Sequence, residues 1–123
     1  AEDALRNGMT AVVFTSRQRL VASGEDALSA GQRISAALVE IVRRIKTRPG
    51  FVISKGGITS SDVAARGLGV RRAMVLGQIA PGVPVWRLGE ETKWPGMPLV
   101  VFPGNVGDDG TLLECVRCLK GER

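Results

Sequence analysis

At 123 residues the chain has room for one core but not two, and its 44% hydrophobic and 24% charged composition is globular, neither disordered nor membranous. Its net charge of +5 is scattered, with only Arg43-Arg44 and Arg71-Arg72 adjacent; with 4% aromatic residues and no tyrosine, a base-stacking surface is poorly supplied, which argues against nucleic acid. No apolar run approaches the ~20 residues of a membrane span, nothing near the start reads as a signal peptide, and the expected location is cytoplasmic.

The opening "AEDALRNG" reads as the last turn of a helix stopped at Gly8, as if the domain followed an earlier segment of a longer chain. "TAVVFTS" is an apolar, β-rich run expected to be a buried strand, and "RQRLVASGED" a polar loop. Ser29 and Gln32 match an S-x-x-Q capping box. Ile34, Leu38, Ile41 and Ile45 then recur at helical spacing, predicting an amphipathic helix that Pro49-Gly50 stops.

"FVIS" is a second strand and "TSSDVAARGLG" a second helix, with Thr59 and Asp62 as its capping pair and Gly67 and Gly69 at its end. "RRAMVLGQI" and "VPVWRL" form an antiparallel hairpin across Pro81-Gly82, a pair suited to the centre of a type II turn. "GEETKWPGM" is a loop, "PLVVF" a buried strand, "PGNVGDDG" a glycine-rich turn and "TLLECVRCLK" a closing helix. This alternation predicts an α/β layered domain with a mixed β-sheet flanked by helices.

Two strand-to-helix junctions share one design. Lys55-Gly56-Gly57-Ile58-Thr59-Ser60-Ser61 follows one strand, and Pro103-Gly104-Asn105-Val106-Gly107-Asp108-Asp109-Gly110-Thr111 another. A helix start offers unpaired amides and partial positive charge, and glycines let the backbone approach a ligand closely. In open α/β sheets, ligands collect beyond the carboxyl ends of the strands, so two such loops at one edge suit a di- or triphosphate. Neither is a Walker A loop, because Lys55 precedes its glycines rather than following them. Each loop alone is also explained by a tight turn.

The chain has no histidine to act as a base. Asp62 is more simply a capping residue, and Asp108 and Asp109 sit where a helix start favours acids; a functional role for either would be holding magnesium through water. Cys115 and Cys118 form a CxxC late in a helix, without further cysteine or histidine ligands, and read as two small apolar residues on one helical face.

The segments "KGGITSSDVAARGLG", "GQIAPGVPVWRLG" and "MPLVVFPGNVGDDGTLLECV", with "VVFTSR" and "SAALVEIVRRI", together resemble the carboxyl-terminal, nucleotide-binding domain of the four-carbon acid sugar kinases over nearly the whole chain. The resemblance implies ATP-dependent phosphorylation of acids such as threonate, erythronate or their 2-oxo relatives. Its implied cofactors are ATP and Mg²⁺, and its implied partner is an amino-terminal sugar-acid-binding domain of the parent chain; a homodimer is left open. It carries over Ser16, Gly56, Gly57, Thr59 and Ser60, and then Gly104, Asn105 and Gly107, as nucleotide-side residues. Lys55 and Val106 complete the two candidate loops. Many relatives have an acid after the two glycines where this chain has Ile58, and "GGITSSD" resembles a branch that includes proteins fused to dehydrogenase and aldolase modules. Without the sugar-acid domain the isolated domain is expected to be inactive. The alternative reading is a stand-alone nucleotide- or anion-binding module without turnover; an RNA-binding protein is a weaker third.

Overall fold

The computed structural model describes residues 1–15 and 27–122. In chain order these residues form α1 (Glu2–Arg6), α2 (Ala27–Arg44), β1 (Val52–Lys55), α3 (Gly57–Asp62), a π-helical turn (Val63–Gly67), β2 (Ala73–Ala80), β3 (Val83–Leu88), β4 (Pro98–Phe102) and α4 (Thr111–Leu119). The four strands make one sheet in the order β1-β4-β3-β2. β1 runs parallel to β4, while β3 is antiparallel to both β4 and β2, so the sheet is mixed and the expected α/β layering is present.

Each face of the sheet carries its own core because strand side chains alternate sides. Leu99 and Leu88 face one way and pack with Val63, Ala64 and Leu68 of the α3 region. Val100 and Val83 face the other and pack with Phe102 and with Cys115 of α4. Trp94 and Met97 join the first core from the connection between β3 and β4, a segment whose polar start marks it as loop. That connection is tied back by Leu88 N–H to the Met97 carbonyl (3.0 Å) and by Lys93 N–H to the Leu68 carbonyl (2.9 Å).

The hairpin forms as expected, with Pro81-Gly82 between β2 and β3 and the Gln78 side-chain carbonyl accepting from Gly82 N–H at 2.9 Å. α1 also ends where expected, before Gly8. Glu2 anchors it: its carboxylate accepts from the backbone N–H groups of Lys46 (2.9 Å) and Thr47 (2.7 Å) and from the Thr47 hydroxyl.

Four expectations need correction. Of the expected strand at 10–16, residues 10–15 form none; Ser16 and the expected loop at 17–26 lie outside the described residues. Val12 and Phe14 are 72% and 83% exposed. Their β-propensity is real, but a ladder needs a partner edge, and no ladder of the described sheet includes them. α2 begins at Ala27, so Ser29 and Gln32 lie inside it and are not its capping box.

The most buried line on α2 runs through Ser35, Val39 and the half-buried Val42; of the predicted stripe, Leu38 and Ile45 are half-buried and Ile34 and Ile41 lie on the exposed flank. Two contacts set that rotation. The Ser35 hydroxyl donates to the Asp62 carboxylate at 2.7 Å, and Gly67 lets Val42 come so near that an added Cβ would sit 3.3 Å from it. Asp62 therefore accepts from Ser35 across two helices and does not cap α3, which starts two residues before Thr59.

Candidate functional site

β1 and β4 are parallel neighbours in register from Val52↔Leu99 to Lys55↔Phe102, so their carboxyl ends stop side by side. Both glycine loops leave from that edge and touch. Gly56 N–H donates to the Phe102 carbonyl at 2.8 Å, and a Cβ added at Gly104 would lie 3.8 Å from Gly56 Cα. Lys55 spans the junction, with Nζ 3.5 Å from the carbonyls of both Pro103 and Gly104 and 4.6 Å from the Phe102 ring centre. The two junctions, separated by about fifty residues in sequence, thus form one mouth.

The glycines of this mouth serve different ends. Gly56 has φ 103° and ψ 146°, a conformation that side chains beyond hydrogen resist. Gly107 has φ +82°, and a Cβ there would fall within 3.0 Å of Thr111 atoms. Both are required by the fold. Gly57 differs: it opens α3 in an ordinary conformation, and a Cβ there would meet nothing within 4 Å. The space beside it is open, and the amides of the first helical turn have no intrahelical acceptors.

The hydroxyls divide likewise. Ser60 is buried and its Oγ donates to the Ser54 carbonyl at 2.8 Å, which fastens α3 to β1. Ser60 N–H closes the first helical bond to the Gly56 carbonyl at 2.9 Å. Thr59 Oγ1 lies 3.9 Å from where a Gly56 Cβ would stand, on the loop side. Ile58 is 75% exposed at the same rim.

On the second loop Asn105 is exposed, while Val106 packs against the second core and lies 3.3 Å from where a Gly82 Cβ would stand. Val106 therefore seals the hairpin turn against the loop. Ser16 lies outside the described residues.

Asp108 is structural. Its carboxylate accepts from Gly110 N–H (2.9 Å) and the Thr111 hydroxyl (3.0 Å), while its own N–H donates to Thr111 Oγ1 (2.9 Å). The Thr111 hydroxyl and then the Gly110 amide hold this carboxyl below its ordinary pKa. Among the described residues no group of three or more His, Cys, Asp or Glu is placed to hold a metal ion. Cys115 is buried in the second core, where burial pushes its thiol pKa up, but Cys118 is exposed, so the two do not share one packed face. No helix among the described residues is long and apolar enough to cross a membrane.

A family model described as "Nucleotide-binding C-terminal domain" matches residues 1–112. Among solved structures, two crystal forms of a domain of unknown function (DUF1537) from Bordetella bronchiseptica superpose with TM-scores of 0.69 each, at 23% and 25% identity. They cover 98% and 99% of this chain, which spans only 30% of theirs; both are described as domain-swapped dimers with bound citrate. No curated protein matches.

Proposed function

Because this chain belongs to the nucleotide-binding C-terminal domain family, we propose that the mouth between β1 and β4 binds the phosphates of ATP or ADP, as one half of a kinase acting on four-carbon sugar acids. The observation that carries this reading is the contact of the two glycine loops at Gly56 and Gly104, beside the open space at Gly57. Amides at the start of α3 face that space with the partial positive charge of a helix start, and Gly104, Asn105 and Gly107 form the opposite lip. Lys55 is tethered to the second loop and adds a fixed positive charge at the junction.

In this reading Thr59 supplies a hydroxyl to the phosphate side, while Ser60 contributes through the frame it holds, since its proton is engaged by Ser54. Val106 positions the second loop. Ser16 is assigned to the nucleotide on the strength of the sequence resemblance. Mg²⁺ would accompany the nucleotide and offset phosphate charge; Asp108 is committed to Thr111 and Gly110, so Asp109 is the acid of this mouth that would help to hold it, through water. The chain's own residues would position phosphate and offset charge, which are the main contributions in phosphoryl transfer. The sugar acid and the group that orients its hydroxyl belong to a further domain of the parent protein, in keeping with the fraction of the solved neighbours that this chain spans. By the resemblance of its "GGITSSD" segment we assign the kinase to the branch that includes proteins fused to dehydrogenase and aldolase modules, and we assign it to the cytoplasm. The dimeric state of those neighbours supports a homodimer here.

Calorimetric titration with ATP, ADP and inorganic phosphate, each with and without Mg²⁺, tests the reading. ATP and ADP should bind with one site per chain. Absence of heat and of competition for all three ligands would contradict it.

A further inference from the structure

Beyond the glycine mouth, the sheet carries a groove of about 430 Å³ on the side of the first core. Its volume is within the range of small-molecule sites. Trp86, Val101 and Val75 line it from the sheet; Val75 is the register partner of Trp86 on β2, which places them on one face. Ser61, Ala64 and Ala65 line it from the α3 region. These small side chains leave the half-buried Trp86 accessible instead of covering it.

The two ends of the groove differ in chemistry. One is bounded by Gly57 and Ser60, residues of the mouth itself, so groove and mouth are continuous. The other is bounded by Arg71 and Arg72. Their backbone N–H groups are bonded to Glu91 (3.0 and 3.3 Å), but their guanidinium groups have no hydrogen bond or salt bridge among the described residues. An open aromatic floor followed by donor-only guanidiniums matches a purine, a flat ring whose edge nitrogens accept hydrogen bonds.

We infer that this groove is the nucleoside subsite: the purine stacks on Trp86 with its edge toward Arg71 and Arg72, and the phosphates reach the Gly57 end. The inference rests on the nucleotide reading above and adds to it the location of the base and the residues that recognise it. Stacking on an aromatic ring adds affinity that a bare phosphate chain lacks.

The test compares ATP with inorganic tripolyphosphate, which carries the phosphates without the nucleoside. ATP should bind at least about tenfold tighter, the scale of one base–aromatic stack. ATP and not tripolyphosphate should quench Trp86 fluorescence, and Trp86→Phe should remove the signal while the buried Trp94 continues to emit. Ala65→Leu, an exchange of one good helix former for another at an exposed position, should weaken ATP about tenfold or more and leave tripolyphosphate unchanged. Equal affinities of the wild-type chain for the two ligands would overturn the subsite and leave the phosphate mouth standing. ATP affinity unaffected by Ala65→Leu would overturn it as well. Failure of both ligands to bind would overturn the nucleotide reading and the subsite together.

Discussion

Gly57 differs from Gly56 and Gly107 of the mouth, because neither its backbone conformation nor its neighbours demand glycine. Gly57→Val should therefore fold nearly normally, with a branched side chain in the path of the phosphates and nucleotide binding lost. Thermal melting and titration of the same sample check both halves of this expectation. Unchanged ADP affinity in the folded variant would remove the phosphates from this mouth.

Glu2 gives a second residue-scale expectation. The Thr47 hydroxyl, followed by the backbone amide of Lys46, lowers its pKa from the ordinary 4.5 to about 2. A depressed carboxyl stabilises the fold above its unfolded pKa, and that contribution disappears as pH falls through the folded value. The tie between α1 and Lys46–Thr47 should thus hold at pH 5 and weaken between 4.5 and about 2. Amide chemical shifts of Lys46 and Thr47 followed against pH should report a midpoint near 2; a midpoint at 4.5 would contradict the assignment.

The cysteines separate. Cys118→Ala should be neutral, whereas Cys115→Ala should cost about 1 kcal/mol for the lost packing. Both variants should retain nucleotide binding, and a stoichiometric metal lost on substitution would refute the packing role.

At the scale of elements, Lys93 shows how a loop residue completes a distant helix. Its Nζ donates to the carbonyls of Val42 (2.9 Å) and Arg43 (2.7 Å) and to that of Ile45, at the end of α2 where carbonyls lack intrahelical partners. The ammonium also lies 4.7 Å from the Trp94 ring centre. Lys93→Met should lower stability by roughly 1–2 kcal/mol through loss of charge-assisted bonds and of the charge opposite the helix dipole. Denaturant unfolding measures it; an unchanged midpoint would mean that solvent caps α2 equally well.

The elements also show what their sequences made legible. β1, the hairpin, β4 and α4 could be placed from their apolar runs and from turn residues such as Pro81-Gly82, because those signals are local. The segment at 10–15, expected as a strand, carries the same local signal, and only pairing distinguishes it from a real one. The rotation of α2 by one helical row depends on Gly67 and Asp62, residues of another helix. Both glycine loops were visible as motifs, but their contact depends on β1 and β4 being parallel neighbours, a fact of topology. The groove around Trp86 was invisible, since its lining comes from α3, the π-helical turn, β2, β3 and β4.

At the scale of the whole molecule, the proposed reading assigns the mouth to the nucleotide and leaves the second substrate's hydroxyl to a further domain of the parent protein. Phosphoryl transfer needs that hydroxyl nearly in line with the γ-phosphate, and such placement accounts for roughly 7–11 kcal/mol of barrier lowering. These 123 residues alone should consequently show at most slow loss of phosphate to water when incubated with Mg·ATP and a panel of four-carbon acids. Joined to a sugar-acid-binding domain, the same chain should phosphorylate one of them. Robust turnover by the isolated chain would place a complete kinase site within it.

The claim on which the rest depends is that nucleotide phosphates occupy the mouth where the two glycine loops meet. Backbone amide shifts of the ¹⁵N-labelled chain, recorded as ADP is added, address it residue by residue. The largest saturable changes should fall at Gly57, Ile58 and Thr59 on one loop and at Gly104, Asn105 and Gly107 on the other, both sets following one binding curve. Saturable changes confined to other parts of the sheet, or none at all, would contradict the account.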